Sequence, residues 1–463
     1  MVSNFRLGMY WLSALAIALG FSFTPLATHP ADSGEQVIIE QPQPILPLPG
    51  RLDRVPVFNS NSPEVVQSEG ILLSTFPPTG MITPEAHLNY AFRGRFDIFA
   101  HHIAKPPQEN DLRTLYLGVL AHNPGDRPVT VDLLQGASYL SQPDAPFIPL
   151  PPSQPNPLGR IYAGPGDRVM NDVLRGQRSP ELPDQIIIPG GESRLILNLP
   201  IPVQNLTPPL NGRSTLIRAR SSGPIYLASL GLYAPRDTDQ AEQERSPTLD
   251  EWQSILKNGA LVTPRDRTPS DPEASGPLVY GRVAGVGIGS RWQNPGQTPL
   301  TIPESGQRVS YPLSSLVGGT MGTGQIQTAP LVVRYPDTAY AAHGNYGIEY
   351  DVFLPLQNNT TQPQTVTVSL QTPIKFDAPA AGLRFYETPP NRIFFRGTVR
   401  LHYRDDRGTP QSQFVHLVQR QGEQGPELLR LTLQPGEIRP TRLSFLYPAD
   451  ATPPQVLTIQ TLD

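Results

Sequence analysis

The chain has 463 residues, with 36 basic against 40 acidic side chains, a net charge of −4, and no cysteine. That length suits two or three domains. The mixed charge leaves no basic field for nucleic acid, and the missing thiols exclude disulfides, thiolate zinc sites and iron–sulfur clusters. Proline and glycine (56 plus 39) make up about a fifth of the chain, below the roughly 25–30% of low-complexity sequences. Helical proteins do not tolerate so much proline, which lacks the amide donor and clashes with the preceding turn.

At the N-terminus, Arg6 precedes an uncharged run from Leu7 to Phe23. A basic start followed by an apolar core is the pattern of a secretory signal, expected over residues 1–27; an uncleaved anchor is the alternative. The absence of cysteine rules out a lipoprotein anchor, and no later segment reads as a membrane span. Residues 28–56 carry Gln41-Pro-Gln-Pro-Ile-Leu-Pro-Leu-Pro49 and read as an extended spacer.

Short apolar runs then alternate with turn residues, among them Thr114–Leu120, Val129–Leu133, Ser193–Leu199 and Pro224–Leu230. Several have the period of two expected of a strand with one buried face. Two segments break that pattern. In Gly164–Gly176, Asp167 is placed to cap a helix with Val169, Met170, Val173 and Leu174 on one face. In Ser246–Gly259, Ser246 is the expected cap, Pro247 the first helical residue, and Leu249, Trp252 and Leu256 align. The polar stretch 236–276 around the second helix is taken as the join between domains at 57–235 and 277–463.

The two halves share motifs in the same order. Ala86-His-Leu-Asn-Tyr90 matches Ala342-His-Gly-Asn-Tyr346. Ala121-His-Asn-Pro-Gly-Asp-Arg-Pro-Val-Thr-Val131 matches Leu356-Gln-Asn-Asn-Thr-Thr-Gln-Pro-Gln-Thr-Val366. Pro189-Gly-Gly-Glu192 and Pro435-Gly-Glu437 each feed a strand that ends at proline, and closing strands follow at Ile225–Tyr233 and Val456–Leu462. The expected fold is all-β: two tandem β-sandwich-like domains related by duplication, with a short helical insert and a helical linker.

Gly164-Pro-Gly-Asp-Arg-Val-Met-Asn-Asp-Val-Leu-Arg-Gly176, Tyr280-Gly-Arg-Val-Ala-Gly-Val-Gly287 and Tyr335–Tyr350 resemble a cyanobacterial family of exported proteins, domain of unknown function 3370. The resemblance covers most of the chain after its N-terminal segment. It implies export into a Gram-negative-type envelope and supplies no activity and no site residues.

No string of standard catalytic spacing occurs, neither a nucleophile elbow, a zincin helix nor a phosphate loop. Gly285-Val-Gly-Ile-Gly289 lacks the remaining dinucleotide-binding spacing and reads as a glycine-lined strand packed closely on a neighbour. The adjacent His101 and His102 point to opposite faces of a strand and do not share a metal.

Two candidate sites remain. His343, Asn345 and Tyr346, flanked by glycines and followed by Glu349 and Asp351, combine polar recognition groups with two carboxylates on one strand face. Such a pair is the requirement for acid–base chemistry on sugars; a plain turn and a solvated strand face is the other reading. Arg168, Arg175 and Arg178 surround a helix start and form a candidate anion site, although a capping Asp167 competes for the same amides. No cofactor is expected. The function expected is that of an exported cell-envelope structural or binding protein without catalysis, whose partner is an envelope protein or polysaccharide. An enzyme or lectin acting on surface polysaccharide is the alternative.

Overall fold

Strands take up 46% of the chain and helices 6%, so the proline-punctuated apolar runs do build an all-β, sandwich-like protein. The computed structural model describes residues 36–237, 240–272, 276–294 and 298–463; the expected export signal lies outside the described residues. Among those described, no helix is long and apolar enough to cross a membrane.

In the first half, strand Leu115–His122 pairs with Ser193–Ile201, and Val129–Leu140 pairs with Gln185–Ile188. The strand Asn211–Tyr233 belongs to both layers. Up to Ser221 it lies between Phe92–Ala104 and Val129–Leu140, and from Tyr226 it pairs with Leu115–His122. It turns the corner near Gly223, where a Cβ would stand 2.6 Å from Val129. Strands that switch layers at such bends make the corners of packed sheets.

The second half repeats the arrangement. Glu349–Gln357 pairs with Ile438–Leu446, and Gln364–Gln371 pairs with Glu427–Leu433 and Gln455–Thr461. Alternate residues Tyr350, Val352, Leu354 and Leu356 of one layer and Val366, Val368 and Leu370 of the other enter one core, the period of two that the pleat imposes. Aromatic rings fill its end, with Tyr350 and Phe445 stacked at 5.6 Å.

The repetition extends to single hydrogen bonds. Asn123 Nδ2 donates to the carbonyls of Arg127 (2.7 Å) and Ile188 (3.0 Å), and its Oδ1 accepts from Gly125 N–H. Asn358 Nδ2 donates to Gln362 O (2.8 Å) and Leu433 O (3.0 Å), and its Oδ1 accepts from Thr360 N–H. The Asn123 amide donates to Glu192 O and the Asn358 amide to Glu437 O, each at 3.0 Å. Asn89 and Asn345 of the other shared motif both have positive φ, 52° and 49°, a conformation asparagine adopts more readily than most residues.

Each half has its own core, one drawn from residues 292–459 with Leu48 and the other from 58–286 with Tyr335. The ladders nonetheless cross the expected boundary at 236–276. Ala284–Ile288 pairs with Pro56–Ser60 on one side and Ala329–Arg334 on the other, while Ser153–Pro155 adds to Pro410–Arg420. Residues 36–463 form one compact unit. The proline-rich stretch is extended but docked. Ile38–Pro42 pairs with Gly382–Tyr386, Arg51–Leu52 pairs with Arg291–Gln293, and Leu48 is 1% exposed. Gly285 does pack closely, since a Cβ there would sit 2.2 Å from Val333 O.

Both helices form, each with a cap other than the expected one. Helix α1 (Pro165–Leu174) is capped by Gly164 at φ 90° with proline at its first position, where the missing amide is harmless. Asp167 instead turns back, accepting from Ala163 N–H at 2.9 Å and lying 2.7 Å from His416 Nε2. Helix α2 (Leu249–Asn258) starts two residues later than expected, because Thr248 and Glu251 form a reciprocal capping box. Its Trp252 is fully buried over Gly118, where a Cβ would come within 2.7 Å of the indole.

Candidate functional site

The loop His343–Gly347 is set by its backbone. Ala341–Ala342 pairs with Ala329–Arg334, the Asn345 amide donates to Ala342 O at 2.9 Å, and Gly347, at φ 81°, donates to Tyr447 O. Asn345 is fully buried and its amide nitrogen lies 3.0 Å from Ser314 Oγ, 3.2 Å from Gln327 O and 3.1 Å from Tyr350 Oη. Its Oδ1 accepts from Ala329 N–H at 3.4 Å, so this buried side chain is engaged in holding the loop. Tyr346 donates to Ala451 O at 3.1 Å and packs its ring on Phe99; burial pushes its hydroxyl up to about 12.

His343 differs from both. It lines a cleft of about 200 Å³ where the halves meet, together with Asn59, Asn61, Tyr280, Arg282 and Lys375. Its ring tilts against Tyr280 at 4.7 Å. Burial pulls its pKa down to about 4, so the ring is neutral at neutral pH. Three buried polar atoms of the lining, His343 Nδ1, Asn59 Oδ1 and Asn61 Oδ1, have no hydrogen-bond partner among the described residues. Asn59 and Asn61 are 5% and 2% exposed and stand on one face of an extended segment. Buried polar groups are ordinarily paired, so these three around a single cleft are its candidate recognition groups.

Charge in the cleft is uneven. Arg282 is answered by an ion pair with Glu64. Lys375 is exposed, donates to the Tyr280 hydroxyl at 3.3 Å, and forms no ion pair among the described residues. Packing against Tyr280 partly desolvates its ammonium and lowers its pKa, with Asp377 acting the other way. Asp377 itself is committed to Thr320, accepting from its amide at 2.9 Å and its hydroxyl at 2.7 Å.

Glu349 and Asp351 do share a strand face but do not reach this cleft. Arg218 donates to Glu349 at 2.8 Å, and Arg291 lies 3.5 Å from Glu349 and pairs with Asp351. Arg442 and the Ser444 hydroxyl also contact Asp351. Arg218 continues to Asp97, Nε to Oδ2 being 3.9 Å. At 4% and 7% exposure the two carboxylates face arginines, whereas a glycosidase pair must flank a sugar in an open cleft. Through Arg218, Glu349 ties the halves together, while Asp351 is a counter-charge within the second half.

The three arginines of the other candidate do not converge. Arg168 donates to Asp144 O at 2.6 Å and stacks on Tyr139. Arg175 binds the carbonyls of Asn156 and Pro157 and lies over Phe414. Arg178 binds Leu133 O and Asp184. His101 and His102 likewise part company, His101 beside Ser214 and His102 beside Ser60 and Pro63 O. Among the described residues no group of three His, Cys, Asp or Glu is placed to hold a metal ion.

Fold and site together define an all-β sandwich protein with a small polar cleft at the junction of its halves. The family model described as a protein of unknown function (DUF3370) matches residues 43–461, and the chain belongs to that family. No curated protein matches. Among solved structures, the coconut allergen cocosin is 10% identical, with 81% of this chain and 84% of that chain covered and a TM-score of 0.09. An oxalate decarboxylase is 8% identical, covering 79% and 76%, at 0.11. The 11S allergen from Cocos nucifera L. is 11% identical, covering 86% and 89%, at 0.09. Scores this low carry no inference about fold or function.

Proposed function

We propose that this is an exported, non-catalytic binding protein of the cyanobacterial cell envelope, which holds an envelope polysaccharide in the cleft around His343. The observation that carries the reading is the convergence of His343, Asn59 and Asn61, each with an unpartnered buried polar atom, on one cleft. Export is supported by the basic start and apolar run before Phe23. The enzyme alternative is weakened because its carboxylates, Glu349 and Asp351, are engaged by Arg218, Arg291 and Arg442.

Incubation of the purified protein with polysaccharide from the envelope of its source cell tests this. The expected result is co-sedimentation without release of new reducing ends, and retention reduced at least tenfold by Asn61→Ala. Reducing ends released by the wild type but not by Asp351→Asn would establish the enzyme instead. Absence of any co-sedimentation would remove the polysaccharide reading.

A further inference from the structure

Size, polarity and charge narrow what the cleft takes. At about 200 Å³ it is smaller than the ~300–1,000 Å³ of sites for drug-sized ligands, and it suits a single sugar ring rather than a nucleotide. Two carboxamides and a neutral imidazole offer both donors and acceptors. The terminal torsion of an asparagine is broad, so each carboxamide can turn either its oxygen or its nitrogen toward a hydroxyl.

The charge separates the remaining classes. Among the described residues Lys375 is the cation of the lining without an ion pair, Arg282 being held by Glu64. A phosphate or sulfate calls for several convergent cations or bidentate arginine, and one ammonium does not supply that. A free amino acid needs a carboxylate for its ammonium group. Glu64 is held by Arg282, and Asp377 by Thr320. One carboxylate joined to several hydroxyls matches one ammonium joined to uncharged donors and acceptors. The half-buried ring of Tyr280, with Leu316 and Pro453, supplies the apolar wall against which a sugar face packs.

We infer that the cleft binds one hexuronate residue of an acidic polysaccharide, with its carboxylate at Lys375 and its hydroxyls at Asn59, Asn61 and His343. This rests on the binding reading above and adds the class of sugar.

The test is titration calorimetry of the full chain with galacturonate and glucuronate oligosaccharides, against the same oligosaccharides with their carboxyls reduced to alcohols. Acidic sugars are expected to bind at least tenfold more tightly than the reduced ones. Lys375→Met should abolish that preference, and rising salt should weaken the acidic ligands alone. Lys375 is exposed, so this variant keeps its fold, checked by an unchanged urea midpoint. Equal affinity for acidic and reduced sugars overturns the uronate assignment and leaves the binding reading standing. Acidic sugar bound equally by wild type and Lys375→Met overturns the placement of the carboxylate. If no oligosaccharide binds while whole polysaccharide still co-sediments, the cleft is not the sugar site; if neither binds, the parent reading fails as well.

Discussion

Asn123 and Asn358 do the same work in the two halves. Each is fully buried, each closes its own turn through the fourth residue on, and each donates to the carbonyl at the edge of a distant strand, Ile188 or Leu433. Removing either side chain strands a buried strand-end carbonyl, Ile188 O or Leu433 O. Asn123→Ala and Asn358→Ala are each expected to cost about 2–3 kcal/mol, read as a lower urea midpoint at unchanged slope. If one of the pair is silent, the equivalence of the two turns is only geometric. These asparagines were legible in the sequence because the turn chemistry repeats around them. His343 was legible because it opens a run of polar residues broken by Gly344 and Gly347. Asn59 and Asn61 were not, since Val57-Phe-Asn-Ser-Asn61 reads as an ordinary strand entry and nothing local says that its carboxamides lack partners. For Lys375 the one available signal was rarity, as it is one of three lysines, with Lys105 and Lys257.

Among the elements, faces were easier to read than ends or partners. The buried side of α1 follows directly from Val169, Met170, Val173 and Leu174. Its start does not, because proline at the first position and a glycine cap displaced Asp167 from the role its type favours. Partner choice is less legible still. A ladder is made of main-chain groups common to all residues, so no side chain announces that Ser153–Pro155 will join Pro410–Arg420. The proline-rich segment shows the same limit. Composition gives its extension, while its docking depends on Leu48, whose amide donates to Gln325 Oε1 as Gln325 Nε2 donates back to Leu48 O, both at 2.9 Å. One glutamine thus imitates a neighbouring strand and seats Leu48 in the second core. Leu48→Ala should destabilise the protein by about 2–5 kcal/mol, and protease should then cut between Gln36 and Arg51 well below the unfolding midpoint. Resistance to cleavage with stability unchanged would show that the segment is held by its strand pairing alone.

At the scale of the molecule, two cores are joined by traded strands and by the Asp97–Arg218–Glu349–Arg291–Asp351 ion network, in which Arg218 comes from the first half and Glu349 from the second. Buried pairs of this kind add little net stability over an apolar substitute, but breaking one partner leaves a charge that the interior does not solvate. Cooperativity is therefore the property to measure. Among the described residues, Trp252 lies against the first core and Trp292 in the second, which gives each half its own fluorescent probe. In a chain beginning at Gln36, Trp252→Phe and Trp292→Phe should report coincident urea transitions, because neither half keeps its ladders when the other unfolds. Arg218→Met should lower both midpoints together, by about 3 kcal/mol, since Glu349 then retains only the longer contact to Arg291. The double variant Arg218→Met with Glu349→Gln should recover part of that loss, as removing both charges removes the desolvation cost with the attraction. Two separate transitions in the single-tryptophan chains, or an Arg218→Met effect seen by one probe alone, would mean that the halves unfold as independent bodies and that the crossing strands do not couple them.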